Sequence, residues 1–290
     1  MQILFHLGAH CTDGGLLIRS ILRNRATLAR EGVGVPGPSR YRELLGNVST
    51  SLRGECASSD TEDMLIEAIC DDDSAERIIL SNENFLCRAS KVLAEDGLYP
   101  KVGKSAWLRN CFPDHSIEFA IATRNPATFV PDLIARLSET DRAEVMSQLH
   151  LDRLSWADAV AEIVEANPGC PIIVWSHEDT PFIWSEIISE LTACDPYTEL
   201  DGELDMVEQI MSNEGVAKLE DFLRSHTELS ETRRHAAISA FLDAHGLDEK
   251  IEEEIDLPGW TCDTIAHLSQ AYDEDLVQIA KLPGVTFLEP

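Results

Sequence analysis

Short, uninterrupted apolar runs alternate along this chain with longer segments in which apolar positions recur every three or four residues. Four runs read as buried strands: "QILFHLG" (Gln2 to Gly8), "RIILSNE" (Arg77 to Glu83), "IEFAIATR" (Ile117 to Arg124) and "CPIIVWS" (Cys170 to Ser176). None shows the in-out alternation of a strand with one wet face, so each is expected to be covered on both faces. "GVGVP" (Gly32 to Pro36) offers room for a further short strand. The segments between them read as helices. Leu16 to Arg30 places Leu17, Ile21 and Leu28 on one face and stops at Gly32. "TEDMLIEAIC" (Thr61 to Cys70) and "SWADAVAEIVEAN" (Ser155 to Asn167) each open on a hydroxyl residue with acids in the first turn. Strands separated by helices predict an α/β fold with a mainly parallel sheet, wound from crossover units, with helices on both faces.

From Asp195 onward the pattern is helical and acidic, with 23 acids against six lysines and arginines. A helical elaboration is expected at about 196–258, closing on a solvated connection at "EKIEEEIDLPG" (Glu249 to Gly259), within a single domain spanning 1–290. That length suffices for one large α/β domain with a sizeable core.

Composition narrows the function classes. The formal net charge of −29 argues against nucleic acid or an anionic membrane as partner. No apolar run approaches membrane-spanning length, and the N-terminus enters a strand with no leader pattern, so a cytoplasmic protein is expected. Eight cysteines, with no C-x-x-C pair and no histidine at ligand spacing, read as structural thiols, and no metal site is expected. "NVS" at Asn47 to Ser49 reads as a chance glycosylation match. The charge is uneven: residues 1–53 hold seven arginines against Asp13, Glu31 and Glu43, a balance of +4 that leaves −33 for the remainder. The basic region surrounds the first strand and the turn after it. It reads either as a solvated helix face or as a binding surface.

That turn, "HLGAHCTDGG", lies between a strand and a helix, where backbone N–H groups and a helix N-terminus converge on an anion. It lacks the lysine of the usual phosphate-binding pattern. "FHLGAHCTDGGLLIRSIL" resembles the 5′-phosphosulfate loop of bacterial sulfotransferases, commonly H-x-G-x-x-K-T-G-T-T followed by a helix. Three later stretches follow in family order: "ILSNENF", like the third strand ending in S-x-E; "IATRNPATFVPDLI", like the 3′-phosphate strand; and "AYDEDLVQIAKLPGVTFLEP", like the family's chain ending. The resemblance implies a P-loop-type fold and sulfuryl transfer from 3′-phosphoadenosine 5′-phosphosulfate to a hydroxyl on a small molecule or carbohydrate. It places Gly8, His10, Cys11, Thr12, Gly14 and Gly15 around the cofactor's 5′ end, Arg124 on its 3′-phosphate, and Glu83 as the base. The departures are Cys11 for lysine, Asp13 for glycine, Gly14 and Gly15 for Thr-Thr, and Asp132 for a serine eight residues after Arg124. Losing a charge-assisted contact and gaining a carboxylate weakens binding by roughly three orders of magnitude. A non-catalytic descendant holding another ligand or a protein partner is therefore the second reading.

Other candidates stay open. Glu83 is either a general base at a strand end or a surface acid. His6 reads as a buried histidine satisfied by the backbone, whereas His10 faces a phosphate or an acceptor. Arg19 and Arg23 lie one and two turns into the helix, away from its N-terminal end. Cys11 at a helix N-terminus suggests an activated thiol, with no partner base in view. "GKS" (Gly103 to Ser105) lacks a preceding strand, which counts against a displaced phosphate motif, and a kinase would lack both the lysine and a magnesium-binding pair.

Overall fold

A computed structural model of the protein describes residues 1–70, 74–195, 197–226, 228–252, 255 and 257–290. Among them, strands β1 (Gln2–His6), β2 (Val33–Gly34), β3 (Arg77–Ser81), β6 (Ser116–Thr123), β7 (Ile172–Ser176) and β8 (Val285–Leu288) form one sheet, and β4 (Leu93–Ala94) and β5 (Gly97–Leu98) a small antiparallel ribbon. The sheet order is β2-β3-β1-β6-β7-β8, with every pairing parallel. The fold is therefore α/β with a parallel sheet, as the unalternating runs require.

Period-two alternation sorts the central strand between two cores. Ile3, Phe5 and Leu7 pack with Tyr41, Leu65, Leu133 and Trp156 on one face. Leu4 packs with Leu17, Ile21, Trp184 and Ile187 on the other. The segment after β1 thus takes one face, and those after β2, β3 and β6 the opposite one. Chain paths diverge at the end of β1, which is where open α/β sheets form a ligand crevice.

Local differences from the sequence pattern have physical causes. The helix expected over Leu16 to Arg30 is two, Leu16–Arg23 and Arg25–Arg30, because Asn24 is spent elsewhere. Its amide donates to the carbonyls of Ser20 (3.0 Å) and Asp201 (2.8 Å) and accepts from Asp201 N (2.7 Å). The chain ending holds a helix, Cys262–Ile279, and then the edge strand β8, released by the turn at Pro283 and Gly284 (φ 81°). Of the expected elaboration, the helices Asp205–Ile210, Asn213–Ser225 and Glu231–His245 enclose a small core of Leu204, Val207, Met211, Val216, Leu219 and Ile238, and the short helix Asp248–Ile251 follows with no buried residue. Its expected closing connection includes residues 253, 254 and 256, which lie outside the described ones. No helix among the described residues is long and apolar enough to cross a membrane.

At the sheet edge remote from the crevice, buried Arg77 spans three segments. It donates to Glu118 (2.5 Å), to the Leu191 carbonyl (2.9 Å) and to Gln2.

Candidate functional site

The turn after β1 stays in register with β6 as far as Ala9, through Leu7 N to Ala120 O (2.8 Å), Ala122 N to Gly8 O (2.7 Å) and Ala9 N to Ala122 O (3.3 Å). Gly8 has φ 104°, and a Cβ there would stand 3.2 Å from the Cα of Glu83. Glycine is thus required twice over, by backbone angle and by close approach. Gly14 (φ 57°) and Gly15 (φ 77°) then turn the chain into the helix Leu16–Arg23.

Gly8, Glu83 and Arg124 stand at or just beyond the ends of the adjacent strands β1, β3 and β6, so the structure brings the three together at one sheet edge. Their states differ. Glu83 is exposed, and its carboxylate makes no hydrogen bond to the described residues. Arg124 is buried: its guanidinium donates to the Cys11 carbonyl and to Asp132 (2.7 Å), and its carbonyl accepts from the Trp156 indole (2.7 Å). Asp132 also receives two bonds from Arg136 (2.8 and 3.0 Å). Burial pushes the Asp132 carboxyl up, but the bonds from Arg136 and Arg124 outweigh it and hold the group below the usual carboxylate range. The arginine matched to a 3′-phosphate thus already holds a carboxylate of its own chain.

The same holds at the loop. Asp13 Oδ2 accepts from Leu17 N (2.9 Å), and Asp13 O from Leu16 N (2.9 Å), so one residue serves the first two N–H groups of the helix. Thr12 donates inward to the Ala9 carbonyl (2.8 Å). Arg19, expected one turn away, folds back so that Nη1 reaches the Gly14 carbonyl (3.1 Å). Arg23 instead pairs with Asp205 of the elaboration (2.9 Å).

Cys11 is 4% exposed and has φ 58°. Burial, followed by the charge of Asp132, pushes its thiol up to about 12, which removes the activation that its place near a helix N-terminus suggested. His6 is buried, bonded through Nδ1 to Ser81 Oγ (2.9 Å) and stacked on Trp175, with ring centroids 5.8 Å apart. Besides this side chain, the backbone at Gly8 also interacts with the ring, as the sequence pattern suggested. His10 is also buried; Tyr99 OH lies 3.0 Å from its backbone N and 2.9 Å from Nδ1, and Asn84 Oδ1 lies 3.4 Å from Nε2. Burial lowers the His10 pKa against the pull of Glu83.

Tyr99 and Asn84 escaped the sequence reading. Tyr99 is delivered by the β4–β5 ribbon, in which Leu93 pairs with Leu98 and Ala94 with Gly97 across Glu95 and Asp96, too short a pair of strands to stand out in the sequence. Gly97, paired with Ala94, has φ 113°, and a Cβ there would stand 2.4 Å from the Arg153 carbonyl oxygen, so glycine is required at the start of β5. Residues 103–105 form a 3-10 turn, Val102–Lys104, running into the short helix Ser105–Arg109, with no strand entering it. No group of three or more His, Cys, Asp or Glu among the described residues is arranged to hold a metal ion.

No family model matches the sequence, and no curated protein matches it. Among solved structures, the chain is similar to the sulfotransferase from Alicyclobacillus acidocaldarius, with 12% identity, a TM-score of 0.41, and coverage of 82% of this chain and 97% of that one.

Proposed function

We propose that this is a sulfotransferase-like protein whose two phosphate positions are filled by its own carboxylates, and that it is a non-catalytic binder of a different ligand at the strand ends. Four sequence blocks in family order support the first part, together with the meeting of Gly8, Glu83 and Arg124 at neighbouring strand ends. One observation carries the second: Asp13 Oδ2 sits on Leu17 N at 2.9 Å, in the place an incoming phosphate oxygen would take at the helix N-terminus. Asp132 on Arg124 repeats the arrangement at the 3′-phosphate position. A nucleotide must displace both carboxylates or lie beside them, and either course is unfavourable. Calorimetry with 3′-phosphoadenosine 5′-phosphate tests this. No binding is expected at millimolar concentration, and micromolar binding overturns the proposal.

A second reading has its own support. Glu83 is exposed beside Gly8, with no hydrogen bond to its carboxylate among the described residues, as a general base requires, and Arg19 brings a guanidinium to the loop that lacks lysine. On that reading the protein transfers sulfuryl from 3′-phosphoadenosine 5′-phosphosulfate to a carbohydrate hydroxyl. Arg19→Ala should then abolish nucleotide binding, which on the first reading is absent already.

A further inference from the structure

A cavity of about 790 Å³ opens where the helical elaboration meets the last turn of helix Leu16–Arg23, at the opposite end of that helix from the Gly8 turn. The wall there is pinned on two sides. Asn24 and Asp201 exchange side-chain and backbone bonds (2.8 and 2.7 Å), and the Trp184 indole donates to the Gly202 carbonyl (3.1 Å). The same wall presents Asp205, whose side chain is 3% exposed and accepts from Ser20 Oγ (2.5 Å) and Arg23 Nη1 (2.9 Å). Arg23, its cationic partner, is 51% exposed. A buried anion therefore faces the cavity behind a cation that solvent already reaches.

The charges around that cation do not balance. Asp205, Glu208 and Asp201 all act on the Arg23 guanidinium, so three carboxylates share one cation. Glu220, from helix Asn213–Ser225, adds a fourth negative charge beside Glu208. The other two arginines of the lining are engaged elsewhere, Arg234 with Glu203 (2.8 Å) and Arg224 with Asp221 (2.8 Å). Burial, then the charges of Asp205 and Glu220, raise the Glu208 carboxyl against the influence of Arg23, as excess negative charge requires. A second cation relieves that repulsion. Leu200, Leu204, Leu223 and Leu229 line the same cavity. A bare metal ion leaves these leucines unused, and no group of three or more His, Cys, Asp or Glu among the described residues is arranged to hold one. An alkyl chain with cationic ends uses both kinds of wall, its methylenes against the leucines and its charges on the carboxylates.

We propose that this cavity binds an aliphatic dication with a guanidinium head, and that the head competes with Arg23 for Asp205. The test is isothermal titration calorimetry of the full chain with agmatine, a short alkyl chain bearing a guanidinium at one end and an ammonium at the other. Saturable binding to a single site is expected. Arg23→Ala vacates Asp205 and should tighten agmatine about 2- to 5-fold, the range for an exposed ion pair. Glu208→Gln, at an exposed position, should weaken it by a similar factor and keeps the test decisive if Arg23→Ala does not fold. Magnesium chloride should displace agmatine no better than sodium chloride at equal ionic strength. Absence of saturable binding overturns the proposal, and so does a folded Arg23→Ala that binds no tighter or a Glu208→Gln that binds equally well. Preferential displacement by magnesium also overturns it, because the wall is then a diffuse acidic surface. Nucleotide binding tests the strand-end reading above and changes none of these outcomes.

Discussion

Emptying the two filled phosphate positions should create nucleotide binding where there is none. The sequence comparison points to Cys11→Lys with Asp13→Gly, but the structure redirects the choice. Cys11 is buried at a left-handed backbone angle, so lysine there meets strain and an apolar surround, whereas Asp13 has no positive φ for glycine to relieve. The informative variant is Asp13→Gly/Asp132→Ser, which clears Leu17 N and releases Arg124 from its carboxylate. A carboxylate 5 Å from a phosphate costs about 3 kcal/mol at an effective dielectric of 20. Both groups are partly exposed, so solvent screening reduces this to about 1 kcal/mol each. Removing the two gives about 2 kcal/mol, or roughly 30-fold, before any new contact from Arg124 is counted. Calorimetry should therefore show 3′-phosphoadenosine 5′-phosphate binding below about 1 mM, where the wild type shows none at about 10 mM. The affinity should fall as salt rises. Loss of the Asp13 contact to the helix costs about 1 kcal/mol, so circular dichroism should still report a folded protein. A folded double variant that binds no nucleotide at about 10 mM would refute the view of this turn as an anion cradle.

Asp132 should also make the fold sensitive to acid. Its folded pKa lies below the unfolded value of about 3.9, so its stabilisation is present above that pH and disappears as pH falls through the folded pKa. In urea melts, Asp132→Asn should trail the wild type by about 1 kcal/mol at pH 7, and the gap should narrow as pH falls below the unfolded value of about 3.9. Glu118→Ala should cost about 3–5 kcal/mol by leaving Arg77 buried without its anion, again read in urea. A loss below about 1 kcal/mol would mean that the pair is hydrated in solution. In iodoacetamide labelling followed by peptide mass mapping, exposed Cys56 and Cys262 should react first, and Cys11 only on unfolding. Early labelling of Cys11 would reinstate it as a candidate nucleophile.

The fold class was legible because it depends on local pattern. Unalternating apolar runs at Gln2 to Gly8, Arg77 to Glu83, Ile117 to Arg124 and Cys170 to Ser176 can be satisfied only by strands covered on both faces, and the helical segments between them supply the cover. The positions of Gly8, Glu83 and Arg124 at strand ends follow from the same pattern. Strand β8 was missed because its run, Val285 to Leu288, is only four residues long and, on the sheet edge, is not fully buried.

What the site residues do was decided by tertiary structure, since it depends on partners far away in sequence. Arg124 is unavailable because Asp132 and the Cys11 carbonyl reach it, and Arg19 matters because its guanidinium folds back to Gly14. The ring of His10 meets a tyrosine hydroxyl 89 residues away. Cys11 shows the division most clearly. Its place after a strand and near a helix N-terminus suggests a lowered pKa, yet burial and the charge of Asp132 raise it to about 12. Periodicity records which face of an element is dry, whereas the charge state of a side chain depends on every group that folding brings within a few ångströms of it.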